Sequence, residues 1–281
     1  MLKIKVLIEN SGTEELAGEH GLSLWIEYRG RNYLLDAGST DLFMENALKC
    51  GIPLEKTNAC ILSHGHYDHS GGFHGFMERY GARQIYAMEG VRERYSSGSG
   101  GTVHDIGVPE ELFRDYGSCF CAVRDEVILA EGVHLIPHST PGLDRIGQRT
   151  KLYKGTPGAC VPDDFAHELT AVFESESGLV VINSCSHGGL QVILEEVKQA
   201  LPGRKIAAFI GGLHMKGRKN GEDICIFSES EIERLAEYVT GTGVRCIYTG
   251  HCTGESGFKL LQKYLGESIQ PLHTGRVIEI Y

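Results

Sequence analysis

Ser63-His64-Gly65-His66-Tyr67-Asp68-His69-Ser70-Gly71-Gly72 follows directly on the apolar run Ala59-Cys60-Ile61-Leu62, and it sets three imidazoles and one carboxylate among the six positions 64–69. Imidazole nitrogen and carboxylate oxygen are the donors that zinc, iron and manganese take in catalytic centres, where a strand end holds them rigidly and leaves coordination positions open. His64 and His66, two apart, point the same way if the extended geometry continues past the strand. Asp68 and His69 then reach a second position from the following turn. One segment can therefore supply donors to two adjacent ions, a density that a merely hydrogen-bonded polar loop does not require.

The letters H-G-H-Y-D-H fit the HxHxDH signature of the metallo-β-lactamase-fold hydrolases, and the chain resembles that family from Ile4 to Ile280. Three further stretches resemble one branch of it, the 7,8-dihydropterin-6-methyl-4-(β-D-ribofuranosyl)aminobenzene-5'-phosphate synthase-like proteins. These are Ser184-Cys185-Ser186-His187-Gly188-Gly189, Gly211-Gly212-Leu213-His214-Met215 and Thr249-Gly250-His251-Cys252-Thr253-Gly254. The resemblance implies a four-layer αββα sandwich, an α/β (α+β) fold in a single domain over residues 1–281. It also implies two divalent metal ions, zinc first, with manganese or iron as the alternatives.

By the same resemblance, His64, His66 and His187 ligate one ion, and Asp68, His69 and His251 the other. Asp36, in Asp36-Ala37-Gly38, matches the family's first motif and would accept an imidazole N–H behind the ligands, fixing a tautomer. Many relatives carry a bridging aspartate where this chain has Cys185-Ser186-His187. The bridge is then left to a carboxylate of Asp163-Asp164-Phe165-Ala166-His167-Glu168, with Cys185 a small buried residue near the metal. His214 suits a ligand, a substrate-phosphate contact or an acid near the leaving group. His138, in Pro137-His138-Ser139-Thr140-Pro141-Gly142, has the letters of a family motif in scrambled order and is read as a loop histidine. His20, His74, His104, His134 and His273 have no partner pattern and are read as surface or satisfied residues.

The chain of 281 residues, 41% hydrophobic, suits one large domain with a substantial core. A formal charge of -10 without clustered Lys and Arg argues against a nucleic-acid surface. No apolar run approaches the roughly 18 residues of a membrane span, and Met1–Val6 alternates like a strand, unlike a signal peptide. The expectation is a soluble, cytoplasmic protein with no membrane partner and a small anionic substrate; a homo-oligomer is allowed. The nine cysteines form no CxxC pair and read as reduced thiols. Cys119 and Cys121 read as same-face strand residues.

Periodicity predicts an early meander of Ile4–Ile8, Leu22–Tyr28 and Tyr33–Leu35. It then predicts strand Gly178–Asn183, helix Leu190–Leu201, strand Ile206–Ile210, helix Glu229–Val239, strand Val244–Tyr248 and helix Gly257–Leu265. Residues 89–124, with Ser96–Gly101 at their centre, read as an irregular inserted loop or lid. The expected function is hydrolysis of a small anionic, phosphorylated substrate, a pterin-ribose phosphate by the branch resemblance, by a metal-bound hydroxide that Asp68 orients. The alternatives are a metal-binding sensor or scaffold without turnover, or an ester or lactone hydrolase.

Overall fold

Apolar residues alternate along Leu2–Ile8, Ser23–Tyr28 and Arg31–Leu35, so each strand has an inner face to bury, and the three pair antiparallel with Ile4 opposite Ile26 and Leu24 opposite Leu35. The computed structural model describes residues 1–99, 101–219 and 221–281. The meander is extended on one side by Val277–Ile280. On the other it continues through Ala59–Ile61, Ile85–Met88 and Phe120–Val123 to give seven strands, the last three joined in parallel. A second seven-stranded sheet runs in the order Ile269–Pro271, Cys246–Thr249, Ile206–Ile210, Gly178–Ile182, Leu169–Ser175, Val133–Pro137, Val127–Ala130. Its first four strands are parallel, with helices between them.

Both sheets turn one apolar face toward the other. Leu24, Ile26, Tyr33 and Ile61 of the first meet Phe173, Val180, Ile182 and Ala208 of the second in one buried cluster. Phe173 stands edge-on to Tyr28 and Tyr33 at 5.4 and 5.7 Å; truncating it to alanine would cost about 3–5 kcal/mol. The opposite face of the first sheet (Trp25, Leu34, Cys60) is covered by helices Leu42–Lys49, Phe73–Tyr80 and Glu110–Tyr116. Leu190–Ala200, Glu229–Thr242 and Gly254–Leu265 cover Val181, Phe209 and Ile247 on the other. This is the αββα sandwich that the sequence led us to expect, the layered way to bury both faces of two sheets.

Several details differ from the sequence reading. Helix Glu229–Thr242 runs past Val239 until Gly243 ends it in the left-handed region, and its start is fixed by a Ser228–Glu231 capping box. Residues 89–124 are not irregular: they hold two 3-10 turns, strands Tyr95–Ser97 and His104–Asp105, helix Glu110–Tyr116 and strand Phe120–Val123. Tyr95–Ser97 and His104–Asp105 join Leu152–Thr156 and Ala159–Pro162 in a four-stranded sheet. Their short polar alternation gave no sign of it. Gly100, in the Ser96–Gly101 patch, lies outside the described residues. Among the described residues no helix is long and apolar enough to cross a membrane.

Candidate metal centre

Every sequence-predicted site residue follows the carboxyl end of a strand. Asp36 follows Arg31–Leu35, His64 to His69 follow Ala59–Ile61, Cys185 and His187 follow Gly178–Ile182, His214 follows Ile206–Ile210, and His251 follows Cys246–Thr249. Each of these strands runs parallel to a neighbour, so the loops converge on one edge of the sandwich, the usual place of ligand sites in sheets of this kind. Asp36, Ser186, His214 and His251 turn with left-handed φ of 58, 49, 44 and 48°. At Gly211, a Cβ would lie 1.8 Å from the Asn183 carbonyl, so only glycine lets two of these loops touch.

Hydrogen bonds fix which ring nitrogens are bare. The fully buried Asp36 accepts from Ser63 N (2.8 Å), Ser63 Oγ (2.7 Å), Ser184 Oγ (2.6 Å) and His69 Nδ1 (2.7 Å). Ser63 Oγ, already donating to Asp36, accepts from His64 Nδ1 at 2.8 Å. Glu168 accepts from His187 Nδ1 at 2.9 Å. Asn10 Oδ1, held by the Gly21 N–H, accepts from His251 Nδ1 at 2.8 Å. The Nε2 atoms of His64, His69, His187 and His251 are therefore left as lone-pair donors, and those of His64 and His66 are buried with no hydrogen-bond partner.

These donors gather in two groups. The rings of His64, His66 and His187 lie 4.5, 4.8 and 5.1 Å apart. His69 Nε2 and His251 Nε2 face each other at 3.2 Å, with Asp68 Oδ2 at 3.6 and 3.4 Å from them. Bare lone pairs opposed at that distance repel unless a positive charge lies between them. Burial would lower His251, yet its bond to Asp68 pushes it up to about 9, so the group holds a proton when nothing else is present. Burial would raise Asp68, but His69, His251 and His20 hold it well below the carboxylate range. Burial and mutual crowding push His64 and His66 well below the ordinary imidazole value, and burial with His214 lowers His187. Neutral imidazoles on one side and an anionic carboxylate on the other make a donor set that fits divalent metal.

Some placements were not foreseen. His20, read as a surface residue, lies 3.2 Å from Asp68 through Nε2 and lines the cavity over the site. Cys252 accepts from His214 N at 3.3 Å and stands 3.6 Å from the Cys185 carbonyl. No spacing signal marked either one. His138 is buried and paired with Glu196 at 2.8 Å, a structural role rather than that of a free loop histidine. Glu168 contacts the far side of the His187 ring, and Asp163 is engaged by His167 and Phe165 N. Neither stands between the two groups, contrary to the bridging role expected of that segment. His214, half-buried, packs its ring 4.5 Å from His187. His74 and His134 are satisfied by Asp115 and Glu126, and His273 by a backbone carbonyl.

Residues 17–203 match the metallo-beta-lactamase superfamily. The chain belongs to that superfamily, whose members bind divalent metals. It is 26% identical over 277 residues to the 7,8-dihydropterin-6-methyl-4-(beta-D-ribofuranosyl)-aminobenzene-5'-phosphate synthase of Methanocaldococcus jannaschii, covering 93% of this chain and 90% of that protein. Among solved structures it is similar to Tm1679, a metal-dependent hydrolase of the beta-lactamase superfamily, with a TM-score of 0.80 at 24% identity over 100% of this chain and 99% of the other. A diphosphatase from the PhnP family shares the fold at a TM-score of 0.55 and 16% identity, over 100% and 98% of the two chains.

Proposed function

We propose that this protein is a metal-dependent hydrolase of a small phosphorylated substrate. Its ligands would be His64, His66 and His187 for one ion and Asp68, His69 and His251 for a second, with zinc the first candidate. The observation that carries the substrate class is the charge of the cavity over these residues. About 610 Å³ in volume, it is lined by Arg149, Lys151, Lys216 and Arg218, with Asp68 as the one carboxylate among the described lining residues. The whole chain has 27 Lys and Arg against 37 Asp and Glu, so the lining is richer in cations than the molecule as a whole, with Glu231 and Asp223 paired behind Arg149, Lys216 and Arg218 and Lys151 left to face the cavity. Such a lining concentrates anions at the metal centre.

Bound ions would acidify a water and polarise the bond to be broken. The protein's own residues do the rest. Asp68 orients the attacking water, and Asp36 and Glu168 hold His69 and His187 in the tautomers that leave Nε2 free. His214, whose Nδ1 is buried without a hydrogen-bond partner, stands beside His187 to hold a proton near the leaving group. Arg149 and Lys216, braced by Glu231 at 2.6 Å and Asp223 at 2.8 Å, form a rim for phosphate oxygens. Ser97, Ser99, His104 and Ile106 of residues 89–124 supply part of the roof. The name of the methanogen relative supports a ribofuranosyl phosphate as the first substrate to try, and the cavity is within the usual size range of small-molecule sites.

The test is turnover of bis-p-nitrophenyl phosphate and a panel of phosphomonoesters, cyclic phosphates, pterin ribose phosphates and lactones by protein reconstituted with zinc or manganese. Phosphate-ester hydrolysis abolished by chelator supports the reading. Hydrolysis of lactones alone, or no turnover above the metal-free protein, overturns it.

A further inference from the structure

The turn over residues 163–168 carries a buried pair that the proposed reaction does not use. Asp163 and His167 are both buried, and with His66 they bring three possible donor atoms within 4.8 Å of one another. That grouping invites a further ion, but the hydrogen bonds exclude it. The Gly65 N–H, which can only donate, points at His167 Nδ1 at 2.9 Å, so Nδ1 is bare. The single ring proton is then on Nε2, which donates to Asp163 Oδ2 at 3.0 Å. Neither nitrogen is left for a metal, and an imidazolium would set N–H against N–H at Gly65.

Gly65 is the residue between His64 and His66. Because a peptide unit is planar, holding its N–H fixes how the chain turns from one imidazole to the next. The turn lies flush against an aromatic wall: a Cβ at Gly65 would stand 2.8 Å from the Tyr95 ring, and the His167 ring packs 4.0 Å from the same ring. The support is itself anchored. Asp163 Oδ1 accepts from Phe165 N at 2.9 Å, and Asp163 N donates to the Leu152 carbonyl at 3.0 Å. Gly147, in the helix Asp144–Thr150 that bears Arg149, comes so close that a Cβ would lie 2.3 Å from the Asp163 carbonyl oxygen. One buried dyad thus underlies the ligand turn, the roof at Tyr95 and the cationic rim.

We infer that His167 is a positioning residue of the centre: its Nδ1 holds the Gly65 amide, and with it the relative aim of His64 and His66, while Asp163 fixes the tautomer that makes this possible. The inference rests on the metal reading proposed above and goes beyond it by giving the dyad behind the first two ligands a role.

The experiment uses the full chain with nitrogen-15-labelled histidine, metal-free and zinc-loaded, and follows the ring nitrogens between about pH 6 and 8, with His167 assigned by its loss in His167→Asn. The expected ring has a bare Nδ1 and a protonated Nε2 in both states. A proton on Nδ1 overturns the inference. Zinc binding in competition with a chelator is then compared in two variants that separate the acceptor from the packing. In asparagine, Oδ1 can take the place of Nδ1, whereas phenylalanine keeps a ring against Tyr95 and offers no acceptor. His167→Phe should weaken the equivalent that His66→Ala removes by at least about tenfold and leave the other within about twofold, while His167→Asn keeps both within about threefold. A role in packing alone gives the reverse order, with asparagine the more damaging, and overturns the inference, as do equal losses of both equivalents or a phenylalanine variant that binds like wild type. Should His167→Phe not fold, the spectrum and the asparagine variant decide, weak binding by the latter counting against the inference. If wild type takes up no metal, the metal reading fails instead, and the ring spectrum still shows whether His167 holds Gly65.

Discussion

His64 and His66 stand beside His187 as rings that burial keeps neutral, whereas His69 and His251 are gathered around the Asp68 carboxylate, which pushes His251 up to about 9. Without metal, the first group excludes protons and the second retains one. The difference lies in what each group has to work with. Ser63 and Glu168 take only the far nitrogens of the first, but Asp68 points its charge directly among the rings of the second. One centre can therefore hold one face as pure lone-pair donor and the other as charge-compensating donor, which suits an ion that binds and an ion that activates.

Replacing Asp68 should break this contrast most severely. Asp68→Asn keeps the volume but removes the charge, and turnover of the metal-saturated protein should fall about 100-fold or more, ~2.7 kcal/mol in barrier terms, with the thermal midpoint little changed. A loss of less than about threefold, ~0.7 kcal/mol, would mean that the carboxylate does not orient the water. His66→Ala strikes the neutral group and should lower bound metal by about one equivalent, leaving the ion beside Asp68 in place; elemental analysis showing unchanged content would remove His66 from the centre.

The two groups should also respond oppositely to pH in chelated protein. His64, His66 and His187 are held below the ordinary imidazole value of 6.5, so the unfolded chain binds more protons as pH falls below it. Stability then drops by up to ~1.4 kcal/mol per pH unit for each histidine. His251, raised to about 9, stabilises fully below 6.5 and loses that contribution as pH rises through 9. Asp68, depressed, stabilises above its unfolded value and loses this as pH falls through its folded one. Midpoints measured against pH should show His66→Ala flattening the acid limb and Asp68→Asn the alkaline limb. Asp68→Asn also removes the carboxylate's own loss of stability in the acid range, so the discriminating limb is the alkaline one: its survival in Asp68→Asn, or its flattening by His66→Ala, would merge the two groups into one. The smallest effect is expected at the rim, where Lys151→Ala should raise KM for a phosphorylated substrate about fivefold, ~1 kcal/mol, with kcat unchanged; an unchanged KM would exclude Lys151 from substrate binding.

The legible part of the chain was the part whose information is local. His64 to His69 lie in one turn, and the apolar alternation of Leu2–Ile8 or Ile206–Ile210 needs no distant partner to be read as a strand. Other features depend on where strands end in space. Cys185 was marked by its motif, but its approach to within 3.3 Å of His69 spans 116 residues, and His20 reaches Asp68 from the connection between Leu2–Ile8 and Ser23–Tyr28 with no signal in its own neighbours. The four-stranded sheet around Leu152–Thr156 was missed because its half-exposed strands lack the apolar alternation of a core sheet. His138 was set aside on its motif letters, but only the fold reveals Glu196 beneath it.

Asp36, Ser186, His214 and His251 all turn left-handed at the strand ends without being glycine. Each such residue costs about 1–2 kcal/mol in backbone strain, a large share of the ~5–15 kcal/mol by which a folded domain exceeds its unfolded chain. The loops that bear the chemistry are therefore the least forgiving ground for further mutation. Change of substrate in this scaffold should come through the rim and the roof, where Arg218 and His104 are exposed and their replacement leaves the strained turns alone. The centre stays fixed while its surroundings evolve.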